Sequence, residues 1–440
     1  MFDFESVNKG LFDFLDHSPN AFFAVKNMKD ILEKNGFERV YEGKEWHLEK
    51  GHKYYVTRND SALIAFVIPQ NPTGGFQIMA SHCDSPVFRI KTNCEISVDD
   101  AYVKLNVEKY GGMLCAPWLD RPLSVAGRVL VRTEDGIETR LLNIDRDLVM
   151  IPNLAIHMNR QANDGYAYNA QVDMLPLFSE KETEKDSFLK LIAKETGVKP
   201  EDILDTDLYL YNRMKATTYG LNNEFIASGR LDDLQCAYSS IQAIIQAKPK
   251  GSIALDAVFD NEEVGSGTKQ GAQSTFLQET MKRINNALGR SEDEFYASMQ
   301  SSFMLSADNA HAVHPNHTDK ADPTNRPHMN HGIVIKYSAN QKYTTDGLAG
   351  AVMREICQKA DVPYQTFTNR SDMLGGSTLG NLSQSHVSLN TVDIGLPQLA
   401  MHSPYETAGY KDTAYLIEAA KVHFSSSIEG TGDGNYRLKF

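Results

Sequence analysis

The chain is poor in cysteine: Cys83, Cys94, Cys115, Cys236 and Cys357 are the only five in 440 residues. They are odd in number and none forms a CxxC pair, which argues against a disulfide framework and suits a reducing compartment. Long apolar runs are missing too. Ala62 to Pro69 is the longest clean one, far too short to span a bilayer. No stretch clusters Lys and Arg, and the formal net charge is −13, so the phosphate contacts of a nucleic-acid binder have no footing. The start, Met1-Phe-Asp-Phe-Glu-Ser6, has neither the basic n-region nor the apolar h-region of a signal peptide. The Gly/Ser/Thr turn Gly375–Gly380 lacks the lysine and spacing of a phosphate-binding loop. These absences predict a soluble cytoplasmic protein that engages neither nucleic acid nor membrane.

What is present is an ordinary globular composition, 41% hydrophobic and 23% charged, in a chain long enough for two domains. Helical spacing of Leu11, Phe14 and Leu15, then of Phe22, Val25, Met28, Ile31 and Leu32, predicts two helices flanking Pro19-Asn20. Strands are expected at Lys53 to Thr57, Ala62 to Ile68 and Phe76 to Ala80. From about residue 88 the texture turns to short β-rich pieces between Gly and charged turns, running on through Ile151–Asn159. A helix from about Glu184 to Thr196 and a β-like run at Asp207 to Tyr211 follow. Residues 88–222 therefore read as a domain inserted into a host made of 1–87 and 223–440. The remaining chain alternates strands and helices and closes with a helix, Thr413 to Ser425, and a Gly-rich tail, Glu429 to Asn435. The fold class is α/β.

The stretch Leu255-Asp-Ala-Val-Phe-Asp-Asn-Glu-Glu-Val-Gly-Ser266 begins as a strand and ends in adjacent carboxylates. Open α/β sheets place their ligands at that end of a strand. Two glutamates there are costly to desolvate unless used, one to hold a metal and one to carry a proton. An acidic turn is the bland alternative. The same pattern recurs: His82 and Asp84 follow the strand ending at Ala80, Asp308 follows Phe303 to Ser306, and His402 follows Gln398 to Met401. Asp232 and Asp233 open a helix, where capping alone would also suit them. Two histidines and three carboxylates on one sheet edge form a mixed N/O set suited to zinc, cobalt or manganese. His311, His314 and His317 recur at threes, but Pro315 breaks any helix that would align them. His157 has no local partner and reads as an ordinary interface or core histidine. Lys336, on a strand, is either solvated or part of a pocket.

Ser81-His-Cys-Asp-Ser-Pro86, Ser228-Gly-Arg-Leu-Asp-Asp-Leu234, Asp260-Asn-Glu-Glu-Val-Gly-Ser266, Ser306-Ala-Asp-Asn-Ala-His311 and Met401-His-Ser403 together resemble the motif set of the aspartyl aminopeptidase family, cytosolic dinuclear zinc exopeptidases. The resemblance implies a three-layer α/β/α catalytic domain interrupted by a β-rich dimerisation domain. It implies two zinc ions per subunit, with cobalt or manganese an option in one position. Asp232 would bridge them, His82 and Asp308 would complete one, and Glu263 and His402 the other. Glu262 would be the general base and Asp84 would orient His82. Ile151-Pro-Asn-Leu-Ala-Ile-His157 resembles the segment that lends a histidine to a neighbouring active site, and Lys336 matches a position where a cation meets an acidic first side chain. Family members self-associate as dimers within a dodecamer and act on peptides. Two other readings stay open: a related carboxypeptidase or N-acyl amidohydrolase, and a metal-holding scaffold without activity.

Overall fold

In a computed structural model that describes residues 2–181, 185–432 and 434–440, the chain is a mixed α/β protein built on two large sheets. The larger has nine strands, in the order Glu38–Arg39, Lys53–Arg58, Ala62–Val67, Ile253–Phe259, Phe76–His82, Phe303–Ala307, Asn390–Gly395, Ile333–Lys336 and Tyr364–Phe367. Ile253–Phe259, Phe76–His82, Phe303–Ala307 and Asn390–Gly395 run parallel at its centre, with Phe259 level with His82 and Ser306 with Ala80. Their C-terminal ends therefore open on one rim. Every residue of Ile253–Phe259 is buried, as expected of a strand covered on both faces.

Alternation along these strands feeds two cores. Ala254 and Val258 pack under the helices Phe4–Asp16, Ala21–Lys34, Leu231–Ile244, Gly347–Ala360 and Asp412–Ser425, while Leu255, Ala257 and Phe259 pack against Phe276–Ala287 on the other side. The result is three layers. Asp346 caps Gly347–Ala360 by accepting from the Ala349 N–H, and Asn20 caps Ala21–Lys34 through the N–H groups of Phe22 and Phe23.

The second sheet has six antiparallel strands, Gly136–Asn143, Leu123–Thr133, Ile203–Asn212, Val87–Val98, Tyr102–Tyr110 and Leu177–Glu180. It has its own core, in which Phe88 meets Trp118 edge-on at 5.2 Å. Its helix spans Ser187–Thr196; the expected start at Glu184 lies outside the described residues.

Three expectations are corrected. Beyond Ile151, which bridges to Leu119, residues 152–159 form exposed turns and no strand. Pro152, directly after Ile151, has no N–H to donate to a ladder. The Gly-rich tail is a hairpin, Ser427–Gly430 paired with Tyr436–Lys439, because the glycines supply its turn. Asp232 and Asp233 are not a regular first helical turn: their φ/ψ values (−80°, 109° and −117°, 20°) are non-helical and the peptide between them is cis.

Short strands form a third sheet, Thr217–Tyr219, Phe225–Ser228, Glu406–Gly409, Pro397–Leu399 and Ala310–His311. It ties together the chain just before Asp232, just after Asp308 and on both sides of His402.

Candidate metal centre

The rim of the nine-stranded sheet brings the predicted acids and imidazoles together. His82 Nε2 lies 3.5 Å from Asp232 Oδ1, and His402 Nε2 lies 3.5 Å from Asp232 Oδ2 and 3.4 Å from Glu263 Oε2. His82, Asp232 and Glu263 offer ligand atoms within 4.8 Å of one another, and so do Asp232, Asp233 and Asp308. Asp232 thus stands at the centre, one oxygen toward each histidine.

Both imidazoles are held by their other nitrogen. His82 Nδ1 sits 3.1 Å from the Asp84 carbonyl, and His402 Nδ1 meets the Gly112 carbonyl. With those protons spoken for, each ring turns a free Nε2 inward. Asp84 does more than accompany His82: its Oδ1 accepts from the Glu262 N–H and its Oδ2 from the Glu263 N–H, each at 3.1 Å.

Glu406, which sequence reasoning passed over, and Asp233, which it read only as an acid opening a helix, complete the frame. Glu406, fully desolvated, accepts the backbone N–H of Asp232 at 3.1 Å and of His402 at 2.9 Å. Asp233 accepts the His82 N–H at 3.1 Å. Glycine at 229 lets these segments close, since a Cβ there would come within 2.7 Å of the Pro404 carbonyl. No periodicity marks Glu406 or Asp233; the signal was only an acid within four residues of a candidate ligand.

The electrostatics are lopsided. Asp84, Asp232, Asp233, Glu262, Glu263, Asp308 and Glu406 crowd two imidazoles and the Lys336 ammonium. Burial, reinforced by Asp308 and Asp84 and opposed by His82, pushes Glu262 up to about 8. Burial likewise drives Glu263 well above its ordinary value and raises Asp308. Burial opposes charge on Asp232, but His402 and His82 hold it well below the usual carboxylate range. Asp232 Oδ1 and Glu263 Oε1 are buried without a hydrogen-bond partner. Acid outnumbers base in this set.

Zinc fits it. Tetrahedral ligand atoms about 2.0–2.2 Å from zinc lie roughly 3.3–3.5 Å from one another. The histidine–carboxylate separations of 3.4–3.5 Å match that edge and are long for ordinary charged hydrogen bonds. The donors are nitrogen and oxygen, as zinc accepts, and Asp232 and Glu263 each have an orphaned oxygen to offer.

The other candidates separate. Lys336 is buried, not solvated: its Nζ donates to the Asn309 carbonyl at 2.9 Å, lies 3.9 Å from Asp308 Oδ1 and stands over the Tyr343 ring. His157 lies in an exposed turn and joins neither ligand group of its own chain. The His314 and His317 rings meet at a tilt, 5.0 Å apart, and His311 turns instead to Phe367; none of the three enters a ligand group.

A desolvated acid-and-imidazole cluster on the rim of a three-layer sheet is the arrangement of a metallohydrolase. Comparison narrows the class. Residues 14–424 match the family described as aminopeptidase I zinc metalloprotease (M18). A probable M18 family aminopeptidase 2 of Clostridium acetobutylicum is 49% identical over 424 residues, covering 95% of this chain and 98% of that protein. Its counterpart in Ectopseudomonas mendocina is 41% identical, over 96% of this chain and 99% of its own. Among solved structures, a chain of the cryo-EM complex of Ape4 and Nbr1 superposes with a TM-score of 0.92 at 36% identity, covering 96% of this chain and 86% of that one. The S. cerevisiae mApe1 dodecamer gives 0.83 at 25% identity, covering 96% of each chain. The chain belongs to the M18 family and is a zinc metalloprotease of the aminopeptidase class.

Proposed function

We propose that this aminopeptidase removes N-terminal residues, acidic ones foremost, from peptides by means of two zinc ions held around Asp232. His82 and Asp308 would hold one ion and Glu263 and His402 the other, with cobalt or manganese able to replace zinc in one position. The observation that carries this reading is Asp232 itself, with its two oxygens facing two imidazoles at 3.5 Å. When bound, the zinc pair supplies a water acidified toward neutral pH and a Lewis acid for the scissile carbonyl.

The chain's residues do the rest. Glu262 is the general base. Its backbone is pinned by Asp84, and its carboxylate takes the water proton and returns it to the leaving amine. Asp84 orients His82 and holds the turn that bears both glutamates. Lys336 offers the buried positive charge that favours an acidic first side chain.

His157, exposed on its turn beside Leu154, Ile156 and Met158, is suited to reach a neighbouring subunit's site and donate to the developing oxyanion. The apolar exposure of that loop supports residues 88–222 as the dimerisation domain of a larger assembly. A dodecamer is known for the S. cerevisiae protein of the same fold. The few cysteines, odd in number and without a CxxC pair, support action in the cytoplasm.

Glu262→Gln tests the mechanism. It is expected to keep zinc, measured by elemental analysis, while kcat on an N-terminal aspartyl peptide falls roughly 10²–10⁴-fold. Full turnover in that variant would exclude Glu262 as base. Cleavage that survives acetylation of the peptide's amine would exclude an aminopeptidase in favour of an amidohydrolase.

A further inference from the structure

The six-stranded sheet touches the metal centre through one short segment. Strand Tyr102–Tyr110 ends there, and the chain passes through Gly111 and Gly112 toward Leu114. Tyr110 Oη donates to Asp84 Oδ2 at 2.7 Å and accepts from Asn261 Nδ2 at 2.8 Å. Asn261 immediately precedes Glu262, and its own Oδ1 is fixed by Thr268 and Gln270 at 2.8 Å each. Gly111 has φ +78°, and a Cβ on it would stand 3.1 Å from Glu263 Cβ. Gly112 holds His402 Nδ1, and the Leu114 N–H donates to the His402 carbonyl at 3.1 Å.

We infer that Tyr110 is a positioning residue of the metal centre, and that through it the six-stranded sheet sets the geometry of zinc and base. This deepens the proposed dizinc reading and rests on it. The path is short. The phenol supplies the side-chain donor that Asp84 Oδ2 takes alongside the Glu263 N–H, and Asp84 in turn holds the Glu262 N–H and, by its carbonyl, the His82 ring. From its other side the same hydroxyl grips Asn261, so both ends of the turn carrying Glu262 and Glu263 are tied to one oxygen of the other sheet. Remove that oxygen and the Asp84 carboxylate can rotate, which loosens the turn it holds by the Glu262 and Glu263 N–H groups, and so the base and a ligand carboxylate together. Packing of the ring, edge-on to Tyr209 at 6.0 Å, does not need the hydroxyl.

The test uses the full chain with Tyr110→Phe, and Tyr211→Phe as control. Tyr211 belongs to the same sheet, and its hydroxyl bonds Asn143 at 2.8 Å and the Arg213 guanidinium at 3.2 Å rather than Asp84 or Asn261. Zinc affinity is read by competition with a chromogenic chelator, kcat and KM on an N-terminal aspartyl peptide at saturating zinc, and stability by Tm. Loss of an outer-shell partner costs about 10–100-fold. Tyr110→Phe is therefore expected to weaken zinc and lower kcat by about that factor with KM within about twofold, while Tyr211→Phe changes neither. Wild-type affinity and kcat in Tyr110→Phe, or the same losses in Tyr211→Phe, would overturn the inference alone. A wild-type chain that binds no zinc overturns the dizinc reading as well. Should Tyr110→Phe not fold, Asn261→Gly decides: it keeps the left-handed backbone of Asn261 (φ 60°) and strips the other grip on the hydroxyl. A smaller loss of the same kind supports the inference, and none overturns it.

Discussion

One strand, Ile253–Phe259, shows two ways of burying an acid. In its middle, Asp256 is fully buried with a single donor, the Ser240 hydroxyl at 3.0 Å, and burial pushes it up to about 8. Just beyond its end, Glu262 and Glu263 join Asp84, Asp232, Asp233, Asp308 and Glu406. A lone buried carboxylate can escape its cost by keeping a proton. At the rim seven carboxyl groups share two imidazoles and the Lys336 ammonium, so acid outnumbers base there. The middle of the sheet tolerates an acid; the rim is built to need cations.

Substitutions sharpen the contrast. Asp232→Asn should have the largest effect, abolishing hydrolysis and removing at least half the bound zinc by elemental analysis, since both histidines lose the carboxylate they share. Lys336→Met should come next. A charge-assisted contact is worth about 1.5–3 kcal/mol, so kcat/KM for an N-terminal Asp peptide should fall about 10–100-fold more than for a Leu peptide. Equal losses on the two peptides would show that Lys336 only braces Asn309. Asp256→Asn should be the mildest and act on stability alone. Its folded value of about 8 lies above the ordinary 3.8, so the wild type loses stability as pH rises through that window. The variant's Tm, followed from about pH 4 to about pH 8, should gain steadily on the wild type's, with kcat unchanged. A constant gap would mean that Asp256 does not titrate there.

The centre of the nine-stranded sheet was legible because its strands are apolar runs of five to seven residues, and because His82, Glu262, Glu263 and Asp308 each stand at or just past a strand end. What escaped was short or distant. The strands Glu406–Gly409 and Ala310–His311 are four and two residues long, too brief for any period to register. Tyr110 and Gly112 act across 26 and 290 residues of sequence, through one hydroxyl and one carbonyl that no local pattern announces. Lys336 looked like any strand lysine, since only the fold reveals that the Asn309 carbonyl waits for it.

Glu406 has a consequence of its own. A single side chain clasps the main chain of Asp232 with one oxygen and that of His402 with the other. Neither position can therefore breathe alone: opening one tugs the other, and the centre should loosen as a whole rather than shed its ligands piecemeal.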